Sequence, residues 1–196
     1  MLHFSQNISK DRHAVTCIVA IKEKDTIWMG ADDRVTEEEY YTSKYDKILK
    51  TKTMLIGFAG DLNAIQLARY GFEPKLQTDK QTDLEYLVTV YTKKLKKRLG
   101  EFGLIKIKDE GESAPISMLI AYRGNLYNIT EDFAVLKLEQ TFYATGDGHA
   151  LALGSLFTTE KLGNMHPKER IRMALKVAAS YITTVGNRCK IKTIKF

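Results

Sequence analysis

Thr16–Thr36, "TCIVAIKEKDTIWMGADDRVT", opens with five consecutive apolar residues, Cys17–Ile21, behind a threonine. Ile and Val favour extended backbone because branching at Cβ restricts their side-chain torsions, so the stretch predicts a buried strand over 16–22. The polar "EKD" that follows suits a tight turn, and Thr26–Gly30 then reads as the second arm of a hairpin. Thr16 itself has two readings. It is a β-branched residue at a strand end, or it is a catalytic N-terminus once residues 1–15 are removed.

Working outward, "EEEYYTS" and "DKILK" read as short mixed strands, and "TMLIGFAG" as a strand buried on both faces that ends at Gly60. From Asp61 the period becomes helical, with Leu62, Ile65 and Ala68 at three-residue steps. A second helix is predicted from Thr82, where "TDLE" supplies a capping box, and Leu84, Leu87, Val88, Tyr91, Leu95 and Leu99 form its apolar face. "KIKDEGESAP" is the one candidate flexible loop. "ISMLIAYRGNLYNIT" is a strand, an Arg-Gly-Asn turn and a strand, and "FAVLKLEQTFYATG" continues that sheet. "TGDGHALALGSLFTTE" is a glycine turn before an Ala- and Gly-rich helix that can pack closely on its neighbour. The last helix starts at "HPKER", buries Ile171, Leu175, Ala178 and Ile182, and is capped by Gly186, after which "CKIKTIKF" closes the chain as a strand. Strands grouped in blocks, with helices between the blocks, predict an α+β layered sandwich of antiparallel sheets.

The chain has 196 residues, 44% hydrophobic and 28% charged, which suits one soluble domain. No apolar run approaches a membrane span, and the first fifteen residues lack the apolar core of a secretory signal. Two cysteines imply no disulfide framework, so a reducing cytoplasm is the expected location. The net charge of +6 raises the question of nucleic acid, but the densest basic run, "KKLKKRLG", lies opposite the helix's apolar face and reads as a solvated surface.

His3, His13, His149 and His166 are scattered and the cysteines are far apart, so no metal site is expected and no cofactor motif is present. "GDG" at 146–148 precedes a helix and reads first as a turn. Thr16, Asp32, Arg34 and Lys47 remain to be explained. Asp32, Arg34 and Lys47 could be a surface salt-bridge set. They could also serve Thr16: a hydroxyl is a poor nucleophile without a base, an α-amine titrates near ~7.7–8.0, and a lysine held by an aspartate can polarise the hydroxyl.

The opening segment resembles the start of a mature proteasome β-type or HslV-type peptidase, in which a threonine-headed strand leads to an "ADSRAT"-like motif. On that resemblance Asp32 and Arg34 fall on the structural aspartate and arginine, and Thr36 on the threonine that binds the substrate backbone. "SKYDKILK" is similar to the segment bearing the active-site lysine, which implies that role for Lys47. "LIGFAGDLNAIQLA" resembles the family's "L-x-G-x-A-G" and first long helix, which implies an oxyanion-hole N–H from Gly60. "YATGDGHALALGSL" resembles the "G-S-G" turn, placing Gly146, Asp147 and Gly148 there, with Asp147 near the α-amine.

The likeness implies the Ntn-hydrolase fold: a four-layer αββα sandwich over 16–196, preceded by an extension or propeptide at 1–15. It further implies peptide or unfolded-protein substrates, a threonine endopeptidase needing no cofactor, and a homo-oligomeric ring, with any ATPase partner left open. Asp147 stands where the family has serine, "SYITTVGN" lacks the family's aspartate-serine motif, and Val15 stands where self-processing subunits carry glycine. Two expectations therefore stand side by side: a threonine peptidase activated by removal of residues 1–15, and an inactive ring or scaffold subunit that keeps its extension.

Overall fold

The computed structural model describes residues 16–37, 40–43, 45–71, 75–108 and 111–196, without the side chains of residues 36–43. Its first hairpin is the predicted one: β1 (Cys17–Glu23) pairs antiparallel with β2 (Thr26–Asp32). The alternation of side chains along β1 explains why it is apolar on both faces. Ile18 and Ala20 enter one core cluster with Ile27 and Met29, whereas Cys17, Val19 and Ile21 enter another.

A small hairpin follows, β3 (Arg34–Glu37) with β4 (Tyr40–Ser43). β5 (Ile48–Lys50) and β6 (Met54–Gly60) then begin the second sheet. Helix α1 (Leu62–Tyr70) is capped by Asp61, whose carboxylate accepts the Asn63 N–H, and it buries Ala64, Ile65 and Ala68. The capping box at Thr82 and Glu85 is present at the start of α2 (Asp83–Tyr86). The helix then runs through a π-helical segment (Leu87–Thr92) into α3 (Lys93–Glu101). The wider π turn re-phases the apolar stripe: Leu87, Tyr91, Leu95 and Leu99 are buried at four-residue steps, and the expected members Leu84 and Val88 are exposed.

"KIKDEGESAP" forms a two-stranded hairpin, β7 (Lys106–Lys108) with β8 (Gly111–Ser113), instead of an irregular loop. β9 (Ile116–Tyr122) and β10 (Asn125–Ile129) pair through a turn at Arg123 and Gly124. "FAVLKLEQTFYATG" is a second correction. It splits into β11 (Val135–Leu138) and β12 (Phe142–Gly146), which lie in different sheets.

Helices α4 (His149–Leu162) and α5 (Pro167–Tyr181) follow, and β13 (Cys189–Lys195) returns to the first sheet. In α4, Ala152 makes the close contact, whereas Gly154 faces open space. Helix α5 ends at Tyr181 with Ile182 as its cap, so Gly186 has another task.

The two main sheets are antiparallel, ordered β12-β1-β2-β13 and β11-β10-β9-β6-β5. Ile18, Met29, Leu55, Leu119 and Ala121 fill the space between them. Residues of α1–α3 cover the five-stranded sheet through Ile65, Leu87 and Leu95 against Phe58 and Ile120. Residues of α4 and α5 cover the other through Leu156, Ile171 and Ala178 against Cys17 and Val19. The result is the four-layer αββα sandwich. Among the described residues no helix is long and apolar enough to cross a membrane.

Candidate active site

The head of β1 is where the expected residues meet. Thr16 precedes β1 and has no exposed surface. At the end of β2, Asp32 is 1% exposed, and Lys47, just before β5, is 2% exposed. The Lys47 ammonium donates to both oxygens of Asp32, at 3.1 Å to Oδ1 and 3.0 Å to Oδ2. This pair is internal and not a surface salt bridge.

Asp32 is also a backbone acceptor. Its Oδ1 takes the Cys17 N–H at 2.9 Å, and its Oδ2 takes the N–H of Arg34 at 3.1 Å and of Gly186 at 2.9 Å. One carboxylate oxygen thus joins Lys47 to the peptide that links Thr16 and Cys17. Burial pulls the Lys47 ammonium below the ordinary lysine value, and Asp32 acts against that shift. Burial, reinforced by Asp32, pushes the Cys17 thiol up to about 12 and leaves it a neutral, inert side chain.

Lys47 is fixed through its neighbours. Its carbonyl accepts the Phe58 N–H at 2.9 Å. The preceding Asp46 accepts Lys192 Nζ at 2.7 Å and the Ile48 N–H at 3.1 Å, and Arg69 donates to the Asp46 carbonyl. Burial works to raise the Asp46 carboxyl, but the Lys192 and Ile48 hydrogen bonds bring it below its ordinary value.

The glycine turn lies directly on Thr16. Cys17 pairs with Gly146 across β1 and β12, and Gly146 has a φ of +89°. A Cβ there would stand 2.3 Å from the Thr16 carbonyl oxygen, so only glycine fits. Gly148 packs as closely: a Cβ would lie 2.8 Å from the Ala178 Cβ and 3.0 Å from that of Cys17. Asp147, between them, is half-buried and accepts the Thr184 hydroxyl at 2.8 Å. Gly60 ends β6 with a φ of +135°, where a Cβ would meet the Pro115 carbonyl at 2.3 Å.

Arg34 anchors the far side by donating from its guanidinium to the Thr183 carbonyl. The side chain of Thr36 lies outside the described residues, as do Val15 and the rest of 1–15. A cleft of about 430 Å³ opens beside Gly146 and Asp147, lined also by Ser117, Glu131, Tyr143 and His149.

Sequence reading missed residues 183–186. Gly186 reads as a helix cap, but its N–H serves Asp32, while Thr183 and Thr184 hold Arg34 and Asp147. Nothing local in "TTVG" signals this, because every partner lies at least 37 residues away. Among the described residues no group of three or more His, Cys, Asp or Glu could hold a metal. The basic run is on α3, where Leu95 and Leu99 are buried and Lys96 pairs with Glu112.

The family model for the proteasome subunit matches residues 13–194. The chain belongs to the proteasome subunit family. Solved structures similar to this family member include Thiobacillus denitrificans BPH, at 18% identity and a TM-score of 0.75 over 92% of this chain and 98% of that one. BPH of the same organism in complex with epoxomicin gives 16% identity and a TM-score of 0.72, with the same coverage. Eukaryotic HslV from Trypanosoma brucei gives 16% and 0.66 over 92% of this chain and all of that one. At these identities the likeness bears on fold, and the fold is that of the Ntn-hydrolase proteasome subunits. A search of curated proteins gives no match.

Proposed function

We propose that this family member is a threonine-type endopeptidase whose nucleophile, Thr16, is freed by removal of residues 1–15. The observation that carries the reading is the buried Lys47–Asp32 pair, one carboxylate oxygen from the Thr16–Cys17 peptide. Burying two charges costs several kcal/mol per ion, roughly, so a pair placed beside a hydroxyl argues for a chemical task.

In this mechanism the freed α-amine takes the proton of Thr16 Oγ as the oxygen attacks a substrate peptide carbonyl. The Lys47 ammonium, oriented by Asp32, stabilises the negative charge that develops on Oγ. The Gly60 N–H faces the oxyanion of the tetrahedral intermediate. The α-ammonium then gives its proton to the leaving amine, an acyl ester remains on Thr16, and water activated by the same amine releases the acid. Asp147 holds the α-amine, Arg34 braces the loop at Thr183, and Thr36 receives the substrate backbone. The substrate is a peptide or an unfolded protein. The working form is a homo-oligomeric ring in the cytoplasm, in keeping with a family whose members assemble into rings.

The test is intact-mass spectrometry of the purified protein together with a fluorogenic peptide assay. A species beginning at Thr16, absent in Thr16→Ala, with peptide hydrolysis blocked by an epoxyketone, is expected. Persistent full-length protein that neither hydrolyses peptides nor is labelled would overturn the reading in favour of a non-catalytic ring or scaffold subunit. The absence of a carboxylate in "SYITTVGN" and the valine at position 15 are what favour that second reading.

A further inference from the structure

Two carboxylates flank Thr16, and one short loop holds both. The loop after α5 sends the Gly186 N–H to Asp32 Oδ2 and the Thr184 hydroxyl to Asp147 Oδ2. The position of Asp147 follows from strand register. In the antiparallel ladder Ile18 faces Thr145 and Cys17 faces Gly146, the last pair, so Asp147 is the first residue beyond the ladder at the head of β1, near enough to act on the Cys17 thiol by its charge. Gly146 and Gly148, on either side of Asp147, leave no room for a Cβ against Thr16 and Cys17 respectively. The turn therefore lies against the backbone of Thr16, at its carbonyl group. Asp147 Oδ1 has no hydrogen-bond partner among the described residues, whereas Oδ2 is occupied by Thr184.

We propose that Thr184 is a positioning residue: its hydroxyl fixes the Asp147 carboxylate so that Oδ1 receives the α-ammonium of freed Thr16. This rests on the peptidase reading above and adds a residue that the sequence reading gave no role. The loop 182–186 carries no acid of its own, and the structure divides the work, with the charge coming from the β12–α4 turn and the hydroxyl from the loop. A threonine suits the task because its β-branched side chain has few rotamers, so the hydroxyl is pre-set rather than recruited.

The charge of Asp147 favours the protonated amine, which must lose its proton to act as base. Other charged or titratable groups around the head of β1 are Cys17 on β1 itself, Asp32 from β2 and Asp33 just after it, Arg34 from β3, Lys47 before β5 and His149 from α4. Glu131 lines the adjoining cleft, and α5 brings the uncharged Ala178 against Gly148. All of these groups stay unchanged in the variants that test the proposal.

The experiment is the pH profile of kcat/KM for a fluorogenic peptide, measured on wild type, Asp147→Asn, Thr184→Val and Thr184→Ser. Asp147→Asn moves the acid limb to lower pH by about one unit. Thr184→Val moves it the same way by less and lowers kcat several-fold, Thr184→Ser restores both, and the double variant Asp147→Asn with Thr184→Val is no worse than Asp147→Asn alone. An acid limb unmoved in Asp147→Asn, or a wild-type profile and kcat in Thr184→Val, overturns the inference and leaves the peptidase reading standing. A wild type that neither hydrolyses peptide nor loses residues 1–15 overturns both. Urea midpoints of the five proteins separate loss of fold from loss of positioning, and the pH of the limb is independent of how much protein is folded.

Discussion

Replacing Lys47 with methionine removes the charge but keeps a flexible, unbranched chain of similar length, so little cavity forms. Asp32 then loses the two charge-assisted hydrogen bonds at 3.0 and 3.1 Å and stays buried at 1% exposure. Removing one partner of a buried ion pair costs about 3–5 kcal/mol. Three backbone N–H groups, those of Cys17, Arg34 and Gly186, still face the carboxylate. They set the expectation at the lower end, about 3 kcal/mol, which for a chain of this length lowers Tm by roughly 6–12 °C. The assay is urea unfolding followed by far-UV circular dichroism at equal protomer concentration, with the m-value unchanged. Peptide hydrolysis is lost in the same variant. Adding Asp32→Asn to Lys47→Met costs less than the sum of the two single changes, because the uncompensated charge is gone. A Lys47→Met protein within about 1 kcal/mol of wild type would refute the view that the ammonium holds Asp32 in place.

Gly146→Ala is destabilised by about 2 kcal/mol or more, since its φ is left-handed and the new Cβ has no room, whereas Gly154→Ala, exposed within α4, gains about 0.5–1 kcal/mol. Chemical denaturation of the two variants checks this, and equal effects would contradict the close approach to Thr16. In native protein iodoacetamide alkylates the half-buried Cys189 before the buried Cys17, as read by mass spectrometry, and the reverse order would place the β1 head in solvent. The Cys17 thiol rises from 9.0 in the unfolded chain to about 12 when folded, so its contribution to stability is full below pH 9.0 and is lost as pH climbs through that interval. Cys17→Ala lacks this component of the alkaline decline; superimposable pH–stability curves for the two proteins would show that the thiol is not desolvated.

Local chemistry made much of the fold legible. The unbroken apolar run "CIVAI", the Thr82–Glu85 capping box and the run at Met54–Gly60 each carry their signal within a few residues. What escaped depended on partners distant in sequence. The passage from β11 to β12 crosses between sheets over Glu139–Thr141, and nothing there except three polar residues marks the change. The exposed Leu84 and Val88 follow from a π-helical segment that an α-helical period cannot anticipate. At the candidate site a spacing resemblance singles out Thr16, Asp32 and Lys47, and the structure joins Lys47 and the Cys17 N–H through Asp32. Gly186 and Thr184 were not found, because a backbone donor and a small hydroxyl acquire meaning only from what they face.

The loop after α5 also has a consequence in time. The head of β1 leaves the ribosome early, but the Gly186 N–H that completes the set of donors on Asp32, and the Thr184 hydroxyl on Asp147, emerge only when synthesis has passed residue 186. A nascent chain stalled before that point carries its threonine and its lysine, yet lacks the two donors that set the flanking carboxylates. On the peptidase reading, competence at Thr16 is thereby tied to translation of the far end of the domain, so an unfinished chain has no assembled site with which to act on its neighbours.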